Sequence, residues 1–218
     1  MTAKADPAGA RQQRPGVGTR MMRGLNICCA GLFAWFLGAA PGLANTLQTI
    51  SFLYYPVSGH SPVEIYRSLV ARGPHVGHTL AYATTTAHTT QNATLRIGQA
   101  CSFSAYRLTV GFATTLPRLT TAAELSGGDL SRWRGFDAFV QQHEATHRSI
   151  WMGCAAGLET QLRQLTAPNC NVLTRQAVAL ALVASKACTR RHRSFDAAQQ
   201  ILLKRQPFIL SVFRRTAR

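Results

Sequence analysis

Two long stretches of three- and four-residue apolar spacing, parted by one short break, constrain this chain more than any other feature. Over residues 131–165 the positions Phe136, Val140, His143, His147, Trp151, Cys154, Leu158 and Leu162 recur every three or four residues, which is one face of an α-helix. Ala167-Pro168-Asn169 interrupts the pattern. A second follows, through Leu173, Ala177, Leu180, Ala184, Cys188, His192, Phe195 and Leu202. Two such helices with a short connection predict an antiparallel helical hairpin.

The first half of the chain reads differently. Residues 46–57, TLQTISFLYYPV, are rich in β-branched and aromatic side chains and predict a strand. Ser61-Pro62-Val63-Glu64 supplies a hydroxyl N-cap, a proline at the first helical position and a carboxylate in the first turn, so a helix is expected to about residue 71, before Gly73-Pro74. Three β-rich stretches follow at 78–86, 94–100 and 102–114. In the third, Tyr106, Leu108, Val110 and Phe112 alternate with polar or small residues, and Leu116-Pro117 is expected to end it. Gly127-Gly128 reads as loop, and the tail from Pro207 as a short apolar piece with arginines. The expected fold class is α+β: a small antiparallel β-sheet with one N-terminal helix, then the long hairpin, in a single domain over 45–218.

Residues 1–44 read as an address rather than as structure. Lys4, Arg11, Arg14, Arg20 and Arg23 precede an apolar run over 25–40, and Gly42-Leu43-Ala44 supplies small residues before Asn45. That is the order of a secretory signal peptide, and the run is too short for a comfortable transmembrane helix. A secreted or periplasmic protein is the expectation, with no transmembrane span after cleavage. Of 24 basic and 8 acidic side chains, five and one belong to this segment, so the remaining 174 residues carry a net charge of +12. Such a balance admits an anionic envelope surface as partner. Nucleic acid is not expected, since export removes it from reach and no aromatic-interleaved recognition motif is present.

Four cysteines remain beyond residue 44, and an even number in an exported chain reads as two disulfides. Cys170 and Cys188 would lie about 27 Å apart on one helix, and Cys154 and Cys170 about 24 Å apart. A disulfide tolerates a Cα separation of only about 4.4–6.8 Å. Reflected across a turn near Asn169, Cys154 and Cys188 roughly face each other. The expected pairs are therefore Cys154–Cys188 and Cys101–Cys170.

The chemistry-bearing motif is His143-Glu144-Ala145-Thr146-His147, an H-E-x-x-H. On a helix, positions i and i+4 lie one above the other, so two imidazoles can converge on one ion while Glu144 projects beside them. Zinc takes nitrogen ligands at about 2.0–2.1 Å and, for catalysis, keeps an open position. A water acidified by the ion, with Glu144 as general base, is the nucleophile of a zinc peptidase. The third ligand follows from the hairpin. The positions mirroring His143 and His147 across Asn169 are 191–195, and His192 and Asp196 sit there, four apart. Asp196 is the preferred ligand, with His192 as the alternative ligand or as a partner supporting one. Glu159, the other acidic residue further along this helix, would lie about 18 Å from His147 and is a poor ligand.

The succession YYPVSGHSPVEIYRSL, CSFSAYRLTVGFATTLPRL and WRGFDAFVQQHEATH, with a later Cys and the pair Phe195-Asp196, resembles the DUF922 family of predicted secreted zinc-dependent proteases of bacteria. The likeness runs from about residue 50 to residue 200. It implies a zincin-like metallopeptidase holding Zn2+ and acting on a peptide or protein substrate. Family members tend to continue the aromatic-Asp pair into a Thr and a His-Gly, where this chain has Ala197-Ala198-Gln199-Gln200. Two other readings stand beside the peptidase. One is a non-catalytic zinc-binding envelope protein on the same scaffold. The other is a basic protein binding an anionic surface through Arg190, Arg191, Arg193, Lys204, Arg205, Arg214, Arg215 and Arg218.

Overall fold

The computed structural model describes residues 46–76 and 79–216. The signal-peptide reading of residues 1–44, and His78, at which one strand was expected to begin, lie outside the described residues. Strand β1 (Leu47–Val57) leads into α1 (Pro62–Arg72). There the Ser61 side chain accepts from the Glu64 amide, Pro62 sits in the first turn, and the chain leaves the helix at Gly73. A two-residue ladder pairs β2 (His75–Val76) with β3 (Thr79–Leu80). The long strands β4 (Thr84–Ile97) and β5 (Cys101–Leu119) form a hairpin, and a 3-10 turn at Ala122–Glu124 follows. Helix α2 spans Gly127–Arg163, and β6 (Thr166–Ala167) links it to α3 (Cys170–Lys204). Asn169 caps α3 by accepting from the Val172 amide at 3.0 Å. Helix α4 (Pro207–Thr216) ends the described chain.

Among the described residues this is a mixed α/β architecture of one main sheet and four helices, and it corrects the expected sheet. The strand order is β1-β5-β4, with β4 antiparallel to β5 but β1 parallel to it. Alternation shows that a strand is half buried, not which way its neighbour runs. The connection from β1 to β5 contains a whole helix, the kind of crossover a parallel pair needs. The stretches expected at 78–86 and 94–100 are largely one strand, because the threonine-rich run between them is β-branched and pairs with β5 without a break until the irregularity at Thr94/Leu95. Strand β5 also continues past Leu116-Pro117. Beyond Thr115 it is paired only with β1, so a proline without an N–H can face the edge that β4 has vacated. Gly127-Gly128 opens α2 instead of forming a loop, because Ser126 caps the helix by accepting from the Asp129 amide at 3.2 Å. The tail from Pro207 is helical.

Helix α2 runs across the sheet and serves two cores. Its first half packs Trp133, Phe136 and Val140 against Ile65 and Leu69 of α1 and Phe208 of α4. Its second half packs Ala155 and Leu162 on Tyr106, Leu108, Val110 and Phe112, the alternating inner face of β5. Each fully buried side chain of this size contributes about 1.5–3 kcal/mol. Glu159, with no exposed surface, accepts from the Leu108 amide at 3.0 Å and pairs with Arg163, fixing helix to strand.

Helices α2 and α3 meet residue against residue in opposite directions: His147 against His192 and Cys154 against Cys188. The disulfides are Cys154–Cys188, with a Cα separation of 5.9 Å, and Cys101–Cys170, at 5.1 Å, the two expected pairs. They fit an extracellular or periplasmic compartment. Among the described residues no helix is long and apolar enough to cross a membrane.

Candidate metal centre

The i, i+4 spacing on α2 turns His143 and His147 toward α3, while Glu144, about 100° further round, faces the sheet. Their Nε2 atoms lie 3.0 Å apart. Oδ1 of Asp196, on α3, lies 2.8 Å from Nε2 of His147 and 3.4 Å from Nε2 of His143. Among the described residues these three form the one cluster of three or more metal-ligating groups. Phe195 holds the imidazoles in place: its ring stacks on His143 at 4.9 Å and meets His147 edge-on at 5.1 Å.

His192 does not join the three. Its ring stacks on His147 with centroids 5.0 Å apart, its Nδ1 lies 2.7 Å from Nδ1 of His147, and the Trp151 ring packs 4.9 Å from it. Its Nε2 is buried without a partner. Glu159 lies on the same helix as the histidines but is occupied entirely with β5, Thr46 and Arg163.

Burial lowers the pKa of His143, with the nearby His147 acting in the same direction and the Asp196 carboxylate opposing both. Burial likewise lowers that of His192. Both effects favour the neutral imidazole, the form that can ligate a metal. Glu144 is only 3% exposed. Burial pushes its carboxyl up, partly offset by the nearby Thr85 hydroxyl and by His147. Its Oε2 is buried with no hydrogen-bond partner.

A cleft of about 580 Å³ opens over these groups. One end is apolar, walled by Tyr82, Phe139, Val140 and Leu203; Trp151 and Thr189 wall the other. Gln199 and Gln200 line it beyond Asp196, and Arg193 is its one permanent cation among the described residues.

Sequence reasoning missed Thr85, Thr114 and Arg148. The Arg148 guanidinium donates to Thr114 Oγ1 at 3.1 Å, and Thr114 Oγ1 lies 3.0 Å from Thr85 Oγ1. The sequence carries no clear apolar alternation over residues 85–92, so Thr85 is placed opposite Thr114 only by the register of β4 on β5.

Comparison with curated proteins and with solved structures gives no match. Residues 52–202 match a family described as "Bacterial protein of unknown function (DUF922)". That span, about two thirds of the chain, carries both histidines, Glu144, Asp196 and all four bonded cysteines. The family's description names no activity. On that match the chain belongs to the DUF922 family of bacterial proteins.

Proposed function

We propose that this protein is an exported zinc-dependent metallopeptidase, with His143, His147 and Asp196 as metal ligands and Glu144 as general base. One observation carries the reading: three ligand atoms from two helices converge beside a buried carboxylate that has an unpartnered oxygen, on the wall of a cleft. The donor set suits zinc. Two imidazole nitrogens and a carboxylate oxygen match its preferences, and a tetrahedral ion with bonds of about 2.0–2.1 Å has ligands about 3.3 Å apart. The observed separations, 2.8–3.4 Å, are close to that.

A zinc ion held there supplies Lewis acidity, polarising a peptide carbonyl and making a water acidic near neutral pH. The chain's own groups do the rest. Glu144 accepts the proton of the attacking water and delivers it to the amide nitrogen as the C–N bond breaks, leaving a carboxylate and an amine. A carboxyl pushed up by burial is better matched to that exchange near neutral pH than an ordinary one. Asp196, on a different helix from the histidines, makes the site depend on the α2–α3 packing. The open cleft, apolar at one end, suits an extended peptide carrying an apolar side chain.

A second reading is a non-catalytic zinc-binding protein on the same scaffold. It is favoured by Gln199 and Gln200, which line the cleft where the resembling family tends to carry His-Gly. One experiment separates the two. Purified protein is assayed for bound zinc and for cleavage of casein and a peptide library, beside Glu144→Gln. One zinc per chain, with cleavage that Glu144→Gln abolishes while keeping the metal, supports the peptidase. Zinc without cleavage supports the second reading, and no zinc overturns both.

A further inference from the structure

Strands β1 and β4 end the strand order of the main sheet among the described residues. Strand β4 is rich in polar threonines, carries Arg96 and is irregular at Thr94/Leu95, features that blunt an edge. Strand β1 has none of these. From Leu47 to Tyr55 it carries no charge and no proline, and its register with β5 runs unbroken. On the side away from β5, its backbone groups have no strand to pair with among the described residues. An edge of this kind recruits a further strand unless something covers it.

Both faces beside that edge are apolar and open. Ile50, Phe52 and Tyr54 lie next to Phe112, Thr114 and Leu116 on the α2 side of the sheet. Helix α2 covers β5 but leaves these three 42, 48 and 49% exposed. On the opposite face Leu53, beside Thr115, is 58% exposed. Charge decides what fits there. The Arg118 guanidinium lies over the Tyr54 ring, 4.0 Å from its centroid, and that of Arg148 over Phe52 at 5.5 Å. Arg72 donates to the Pro56 carbonyl at 3.4 Å, at the end of the same strand. No carboxylate among the described residues makes a salt bridge to any of the three. Two β1 strands paired about a two-fold axis would bring both sets of arginines onto one face of the joined sheet, so a second copy is repelled. A segment carrying carboxylates is attracted.

We infer that β1 is a docking edge for an extended acidic segment of another protein, which adds to the sheet as a strand. Its carboxylates meet Arg118 and Arg148 on the α2 side, and its apolar side chains lie beside Leu53 on the other. Backbone hydrogen bonds supply affinity in such an addition, and the arginines supply the choice of partner. The inference is independent of the peptidase reading. Thr84 and Thr85 of β4 line the cleft, whereas β1 lies at the other end of the strand order.

The test uses the purified protein and a labelled peptide of about nine residues, a strand's length, in which valine and glutamate alternate between threonine ends. A second peptide has lysine for glutamate. Binding is followed by fluorescence anisotropy at low salt, and its place by amide hydrogen exchange. The glutamate peptide should bind with a Kd below about 100 µM and the lysine peptide at least about tenfold more weakly, with added salt weakening the first. It should protect amides of β1 and not those around the cleft. Arg118→Glu should weaken the glutamate peptide at least about tenfold and strengthen the lysine one, and Leu53→Glu should abolish binding of the first. Both positions are exposed, and thermal scans verify that the variants fold. No binding at about 1 mM, equal binding of the two peptides, binding unchanged by Arg118→Glu, or protection confined to the cleft overturns the inference. So does sedimentation of the free protein as a dimer that Leu53→Glu dissociates, because the edge then belongs to a second copy.

Discussion

Glu144 and Glu159 are both buried on α2, fifteen residues and about 22 Å apart, yet one is saturated with partners and the other is not. Glu159 accepts from the Leu108 amide, the Thr46 hydroxyl and the Arg163 guanidinium. Glu144 keeps Oε2 empty. Leaving a buried acceptor unsatisfied costs roughly 1–3 kcal/mol. A fold tolerates such a cost most readily where chemistry uses the group.

Their replacement should therefore separate stability from metal binding. Glu159→Ala orphans the buried Leu108 N–H and should lower the unfolding free energy by about 2 kcal/mol, with zinc still bound at 20 °C. Asp196→Ala removes a half-exposed side chain, so the fold should persist, but zinc affinity should fall by orders of magnitude. Urea titration and metal analysis of both variants check this. Zinc lost from Glu159→Ala and kept by Asp196→Ala would reverse the ligand assignment.

His192 should matter at one remove. With Nε2 of His147 on the metal, the His147 proton sits on Nδ1 and is donated to Nδ1 of His192, 2.7 Å away. His192→Ala should weaken zinc about 10- to 100-fold, less than Asp196→Ala, and His192→Asn should recover part of the loss by offering an acceptor. Equilibrium competition with a chelator gives the numbers. A loss as large as that of Asp196→Ala would make His192 a ligand in its own right.

Much of this site could be read from residue spacing. Local helical geometry fixes the relation of His143, Glu144 and His147. The break at Ala167-Pro168-Asn169 sets the fold-back that brings Asp196, and the cysteine pairs, to their partners. What could not be read depends on direction and on polar contacts across the sheet. The parallel course of β1 leaves no trace in its own alternation. Thr85 and Thr114 look like ordinary strand threonines until β4 and β5 are in register. Pro117 reads as a strand end because sequence does not show that β4 has already stopped pairing.

Alkaline pH should destabilise the fold through two tyrosines. Tyr55 donates to the Tyr82 carbonyl at 2.7 Å, and burial raises the pKa of both phenols well above their ordinary 10.0. The unfolded chain thus loses these protons first. Their contribution is intact below about pH 9 and declines progressively as pH rises above 10 toward the raised folded-state values. The slope is at most about 1.4 kcal/mol per pH unit for each group, less for rings that keep partial solvent contact. Tyr82→Phe should flatten the fall in the urea midpoint between pH 9.5 and 11. An unchanged slope in that variant would locate the alkaline sensitivity elsewhere.

The two disulfides should differ in what they do for the metal, although both stabilise. Cys154–Cys188 spans a sequence separation of 34 and Cys101–Cys170 one of 69. Constraint of the unfolded chain therefore contributes on the order of 4 kcal/mol for each. Their places along the helices are unlike. Cys188 is one turn from His192 and Cys154 two turns from His147, so their bond holds α2 and α3 together next to the site. Cys170 opens α3, about 33 Å along its axis from His192, and ties that end to β5. Replacing Cys154 and Cys188 with serine should lower Tm and also weaken zinc, because Asp196 is held opposite the histidines only by the packing of the two helices. Replacing Cys101 and Cys170 should lower Tm comparably, with zinc affinity at 20 °C nearly unchanged. Thermal scans with zinc competition on both double variants, after peptide mapping of the unreduced protein, decide the matter. Equal weakening of zinc in the two would mean that the bridges act on the site only through global stability.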